Sequence, residues 1–299
     1  MTTTAPAPAP AATAVTQPSV WRSLLRNRLA AVALALLVLI VVCAVFAPLI
    51  APADPNAQNL LARLQPPAWQ SGGSSAHLLG TDQLGRDLLS RVVYGTRVSL
   101  LVGAGAALLA GVIGTTAGLA SGYLGGWTDR VVMRVADVQL AFPAILLALA
   151  VVGFVGSGLG YVILVLGITG WVSYARVVRS EVLSLRTRDF ITEARAIGVS
   201  DLAIMRRHLL PNVMAPLATI GTLHIAAAVV AEASLSYLGL GVPKETVTWG
   251  GMLADGQLYL GTSWWIAVFP GVALMLTSLA INIMGDALRD VADPKAYRR

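Results

Sequence analysis

The chain has 299 residues, of which 56% are hydrophobic and only 12% charged, whereas a soluble protein carries about 25% charged residues. With a mean hydropathy of +0.73, that composition excludes an ordinary soluble domain and places the chain among membrane proteins. Cys43 is the single cysteine and lies in an apolar run, the three histidines are far apart, and the net charge of +6 comes from arginines flanking apolar runs, so a disulfide framework, a metal cluster and nucleic-acid binding are all disfavoured.

Residues 1–20, a Thr/Ala/Pro-rich tail, cannot bury a core and are expected to be disordered. Residues 21–50 form the first expected span, with Arg22, Arg26 and Arg28 before the apolar run Leu29–Ile50. That run has 22 residues, longer than the roughly 7–15 of a signal-peptide core, and reads as a membrane helix. A hydrophilic segment over 51–97 follows, expected outside the membrane. Val98–Ala120 then runs 23 residues without a charge and Val138–Ala175 runs 38. The second is nearly twice the roughly 20 needed to cross the hydrocarbon, so it reads as two spans joined by a turn at Gly156-Ser157-Gly158. Leu209–Ala231 is a fifth span. Gly256–Gly285 is a sixth, with Trp264 and Trp265 near its start in the manner of headgroup-zone tryptophans.

Charge supports six spans with both termini inside. On that topology 16 of the 21 Lys and Arg face the cytoplasm and five (Arg63, Arg86, Arg91, Arg97, Lys244) face outward. Gly114, Gly118 and Gly122 leave one stripe of the second span without side chains, which suits close packing on another helix of the bundle or on a second subunit.

The polar segment 189–210 interrupts the apolar runs. Asp189 is an N-cap for a helix from Phe190 to Ile197, with Phe190, Ala194 and Ile197 on one face. Gly198 ends that helix in the left-handed region. Ser200 caps a second helix, Asp201 sits at its positive end, and Pro211 marks the turn into span five. Spacing alone leaves two readings of this hairpin: a handle for a soluble partner, or an amphipathic element on the lipid surface.

The segment resembles the coupling loop of ABC-importer permeases, written Glu-Ala-Ala, three residues, Gly, nine residues, Ile-x-Leu-Pro. Here Gly198 is followed by nine residues and His208-Leu209-Leu210-Pro211, with Thr192, Glu193 and His208 as departures. Four further stretches are similar to the dipeptide, oligopeptide and nickel branch: His77–Asp87 (HLLGTDQLGRD), Ala231–Gly241 (AEASLSYLGLG), Trp249–Leu253 (WGGML) and Asn282–Asp290 (NIMGDALRD) with Asp293-Pro294. The resemblance covers Trp21 to Pro294 and is to the second, C-type permease. It implies an all-α polytopic bundle with a MetI-like core in 98–290 and a cytoplasmic tail over 291–299. It also implies multi-pass location in the bacterial inner membrane. The partners it implies are a B-type permease, two ABC ATPases and an extracytoplasmic substrate-binding protein. The cargo it implies is a peptide, with nickel or another small solute as the alternative.

The same resemblance assigns ATPase coupling to Thr192, Glu193, Ala194, Arg195, Gly198, Ser200, Asp201 and Pro211. Asp82, Arg86 and Asp87 are read in two ways: Asp82 capping a helix with the charges pairing locally, or contacts made on the outer side. Glu232, an ionisable group near the outer end of span five, is a candidate for the translocation path or a helix–helix hydrogen bond. His224 reads as a packing residue, and Asn282 and Asp286 as interhelical hydrogen-bond partners. Neither lysine (Lys244, Lys295) sits in a Gly-rich phosphate loop. No catalytic residue, metal site or cofactor is therefore expected, and ATP hydrolysis falls to separate subunits. An ion-coupled secondary transporter would have only Glu232 and His224 to work with.

Overall fold

The structure, a computed structural model, describes residues 27–243 and 245–292. The expected disordered tail 1–20, together with Arg22, Arg26, Lys244 and the tail from residue 293, lies outside the described residues.

Helix α1 (Arg28–Val45) starts where the Asn27 side chain accepts from the Leu29 N–H at 3.0 Å, and one further turn, Ala47–Ile50, follows it. At about 1.5 Å per residue, α1 spans about 27 Å, close to the hydrocarbon thickness. Its Ala30 packs against Met284 and Ala287 of the last helix.

Residues 51–87 form an irregular cap with a single 3₁₀ turn, Leu60–Ala62. Helix α2 (Leu88–Leu124) then runs for 37 residues. It begins ten residues before the charge-free run because Asp87, which accepts from the Ser90 N–H at 2.8 Å, sets its start. Hydropathy marks where lipid begins along a helix, whereas capping marks where the helix begins.

The 138–175 run departs from expectation. Helix α3 (Gly126–Leu140) is followed by α4 (Ala144–Val155), and the two meet at 92°. Pro143 has no N–H to donate and drives Phe142 out of helical conformation, so the break falls there. At 12 residues α4 is too short to cross alone, reaching about 18 Å. The expected turn is present: Gly156 has φ +99°, and α5 (Leu159–Leu185) begins directly after it. Among the described residues, five helices are long and apolar enough to cross a membrane, and the bent α3–α4 pair makes a sixth crossing if it counts as one span.

The α2 and α5 helices form the tightest pair. A Cβ on Gly118 would lie 2.7 Å from the Ala175 carbonyl oxygen, and one on Gly122 would lie 2.9 Å from Val182 Cβ; Gly114 faces Trp171 in the same way. The glycine stripe is thus consumed within the bundle. Helix α3 is fastened to the same pair by polar contacts: Asp129 grips Arg179 in a fork of 2.5 and 2.7 Å, and Gln139 accepts from the Trp171 indole at 2.8 Å.

Helices α6 (Asp189–Ala196) and α7 (Asp201–Ile204) form the hairpin, but α7 does not stop at Pro211. A π-helical turn over Met205–Leu209 carries it straight into α8 (Leu210–Tyr237). Pro211 would clash with the carbonyl four residues back in a regular helix, and the widened turn just before it gives the ring room. The expected pair of short helices is therefore one short helix and the end of a long one.

Helix α9 (Trp249–Gly256), capped by Thr248, and α10 (Trp265–Ala292) complete the bundle. Trp249 donates its indole N–H to the Val92 carbonyl at 3.0 Å and Trp265 donates to that of Thr81 at 3.1 Å. Trp265 is thus buried and pins the 51–87 cap to the bundle, while Trp264 stays exposed. Asn282 and Asp286 are exposed and make no side-chain hydrogen bond among the described residues, contrary to the expected interhelical role.

Candidate functional site

The hairpin is held from beneath by an apolar core. Ile191 and Ala194 of α6, Ile204 of α7, and Leu209 and Val213 beyond it pack with Leu119, Tyr123, Val178, Val182 and Leu185 from the ends of α2 and α5. The buried face of α6 is thus Ile191 and Ala194, one turn apart, and not the expected Phe190/Ala194/Ile197 stripe. Phe190 is exposed, and Ile197 lies past the last helical residue with 80% of its surface free.

Arg188 occupies the cap position of α6, with extended φ −78° and ψ 150°, so Asp189 is the first helical residue and makes no cap bond. Its charge still sits at the positive end of the helix. Thr192 and Glu193 face outward. Gly198, with φ +81°, closes α6: its N–H reaches the Arg195 carbonyl and the Val199 N–H reaches that of Ala194, both at 3.0 Å. This pair of bonds is a Schellman motif. Ser200 holds the cap position of α7 without a side-chain cap bond.

Arg195 and Asp201 are tied to a residue that sequence reasoning missed. The Tyr123 hydroxyl donates to Asp201 Oδ1 at 2.7 Å and accepts from Arg195 Nε at 3.2 Å. The Arg195 guanidinium also stands 4.7 Å from the centre of the Tyr123 ring, a cation–π arrangement. The only signal for Tyr123 in the sequence is its place next to Gly122, at the end of the glycine stripe.

The tip of the hairpin is bare and apolar. Leu202 is 72% exposed on the same projecting tip as Ile197. These two are the most exposed large apolar side chains of the hairpin, Phe190 being less exposed and set beside His208.

At the opposite end, Asp82, Arg86 and Asp87 are buried and engaged with one another's neighbours rather than displayed. Asp82 accepts from the backbone of Leu84 and Arg86 and pairs with Arg86 Nε at 2.6 Å and Arg91 Nε at 3.5 Å. Arg91 donates to the Pro55 carbonyl at 3.1 Å, and Arg86 Nη2 lies 3.5 Å from Asp255. Asp87 pairs with His77 at 2.9 Å. The charges pair locally, and Asp87, not Asp82, caps the helix. These three side chains form part of the frame of the cap.

Glu232 is fully buried between α2 and α8. Ser236 donates to Oε1 at 2.7 Å, and the Ser99 hydroxyl lies 3.5 Å from Oε2. Gly250 of α9 lies so close that a Cβ there would approach Ala233 Cα to 2.6 Å, so the Ala231–Gly241 and Trp249–Leu253 stretches form one packed unit. His224 packs on Gly170 and on the Tyr174 ring, whose centre is 5.3 Å from its own. Its Nδ1 has no hydrogen-bond partner among the described residues.

The family described as "Binding-protein-dependent transport system inner membrane component" matches residues 114–297, and "N-terminal TM domain of oligopeptide transport permease C" matches residues 19–67. The chain is 42% identical over 275 residues to a di/tripeptide transport system permease protein of Pseudomonas aeruginosa, covering 92% of this chain and 91% of that one. It is 38% identical to a dipeptide transport system permease protein of Haemophilus influenzae (92% and 93% covered). It is 42% identical to a glutathione transport system permease protein of Escherichia coli (92% and 89% covered).

Proposed function

This chain belongs to the family of binding-protein-dependent transport inner-membrane components, and from that premise we propose that it forms half of the translocation pathway of an ATP-driven importer of short peptides. It is a multi-pass protein of the bacterial inner membrane and a transport subunit, not an enzyme. Its partners in this reading are a second permease of B type, two cytoplasmic ATPases, and an extracytoplasmic binding protein that delivers the peptide. The relatives named for di/tripeptide, dipeptide and glutathione transport support a peptide cargo.

The observation that carries the reading is the hairpin. It is rigid at its base through the Ile191/Ala194/Ile204 core, closed by Gly198, and apolar at its tip through Ile197 and Leu202. Exposed apolar side chains on a fixed knob mark an interaction surface, and the resemblance to the importer coupling loop supports the ATPase as its partner. Thr192, Glu193 and Ser200 flank the tip as its polar rim. ATP-driven closure of the ATPases would move the two hairpins of the permease pair, and the bundles would rock between inward- and outward-facing states. On this account Glu232 is a structural hydrogen-bond partner between α2 and α8.

The test is reconstitution in vesicles with the neighbouring subunits of the same system. Expected are peptide uptake that needs ATP on the hairpin side, and crosslinks from probes at 197 and 202 to the ATPase. Uptake driven by an imposed ion gradient without ATP, or probes reachable only from the binding-protein side, would overturn it.

A further inference from the structure

We infer that Tyr123 is a positioning residue that clasps both legs of the hairpin to the end of α2, so that hairpin movement is delivered to the transmembrane bundle. The inference rests on the coupling role proposed above and adds the part that transmits force.

The argument begins with connectivity. Covalently, α6 is joined to α5 only through the short link Arg186–Arg188, and α6 to α7 only through Ile197–Ser200. The second link contains the one residue of the hairpin in left-handed conformation, Gly198. A load on α7 passes along the continuous helix into α8, but a load on α6 would bend these links before it moved α2 or α5. Tyr123 bypasses them. Its ring, 5% exposed, is set into the core formed by Leu119, Val178, Val182, Ile191 and Ile204. Its hydroxyl, at the edge of that core, holds Arg195 on the last turn of α6 and Asp201 on the first turn of α7.

The two charges are placed to reinforce the clasp. Asp201 lies at the positive end of α7 and Arg195 at the negative end of α6, so each complements its own helix dipole. A hydroxyl between a carboxylate and a guanidinium can donate to one and accept from the other at once, and both bonds are charge-assisted. The neighbouring residues of α2 extend the attachment sideways. The Gly122 carbonyl accepts from Arg186 at 3.1 Å, and Ser121 bonds Asp129, which grips Arg179. The end of α2 therefore joins the hairpin, α3 and α5, and Tyr123 is its only side-chain hydrogen bond to the hairpin among the described residues.

Tyr123→Phe keeps the ring and removes both bonds. In the reconstituted full complex, we expect ATP hydrolysis within about twofold of wild type and peptide uptake per ATP lowered about thirtyfold, the effect of losing roughly two net hydrogen bonds. A packing role alone would change thermal stability without changing that ratio. Asp201→Ala, which leaves the Arg195 bond, should lower the same ratio by less, and the double variant should be no worse than Tyr123→Phe alone. If Tyr123→Phe fails to assemble, Asp201→Ala alone carries the test. Crosslinking from Ile197→Cys to the ATPase is measured in every preparation. If that crosslink is missing in the otherwise wild-type protein, the coupling role itself fails. If it is present and uptake per ATP is unchanged in the variants, the clasp is overturned and the coupling role stands.

Discussion

Replacement of Gly198 gives the sharpest test of the hairpin, because two substitutions there differ in a calculable way. A Cβ at this position meets nothing within 4 Å, so Gly198→Ala suffers no clash and costs only the left-handed backbone, about 1–2 kcal/mol. Gly198→Pro requires φ near −65° where the chain has +81°, and it removes the N–H that reaches the Arg195 carbonyl. The forced change of φ breaks the Schellman pair as well, so the proline cost is about 3 kcal/mol or more. Against this stands the docking of α6, dominated by fully buried Ile191, which contributes about 1.5–3 kcal/mol, and by Ala194. Alanine should leave most hairpins docked, whereas proline exceeds the docking energy.

We expect the alanine variant to take up labelled peptide at a rate within about threefold of wild type, since its cost lies within the docking energy. The proline variant should reach the membrane in normal amount, because the apolar segments on either side are untouched, yet lose uptake and most of its co-purifying ATPase. Wild-type uptake by the proline variant, or equal loss in both variants, would refute the reasoning.

Gly118→Leu should lower the detergent melting temperature, since even its Cβ falls 2.7 Å from the Ala175 oxygen and overpacking costs about 1–3 kcal/mol or more; an unchanged melting curve would contradict the α2–α5 contact. Asp82→Ala leaves Arg86 and Arg91 buried beside one half-exposed carboxylate, so a loss of about 3–5 kcal/mol is expected, read as rapid proteolysis of residues 51–87 in right-side-out vesicles. Asp87→Ala removes a cap worth about 0.5–2 kcal/mol together with the His77 contact, and should be the milder of the two if only the cap matters. Glu232→Gln keeps an acceptor for Ser236 and should leave peptide uptake within about twofold, the loss of well under one net hydrogen bond; a tenfold loss would return Glu232 to the path.

The apolar runs and the turn at Gly156-Ser157-Gly158 were legible because lipid solubility and positive φ leave direct marks on a sequence. Gly198 was legible for the same reason. The 92° bend was not: a charge-free run reports that a segment tolerates lipid, and Pro143 was submerged in it. Pro211 was read as a stop because a proline ends a regular helix, whereas here the preceding turn widens to admit it. Asp87 directly precedes the first residue of α2 and takes the cap, whereas Asp82 lies six residues before it, and its pairing with Arg86 and Arg91 depends on packing that the spacing does not show. Tyr123 could not be found from spacing, since its partners lie 72 and 78 positions away. The inward turn of Ile191 depends on the ends of α2 and α5, which local periodicity does not see.

The unbroken passage from α7 through the π turn into α8 makes residues 201–237 one shaft. Over 37 residues it reaches about 55 Å, so a tilt of about 5° at one end sweeps the other through about 5 Å. The far end carries Ala233, packed on Gly250 of α9, and Ser236, packed on Gly241. A gate at that mouth would need no engine of its own; it would open in step with the crank below, and any slack would arise at the π turn or at Pro216, the two points where the shaft can yield.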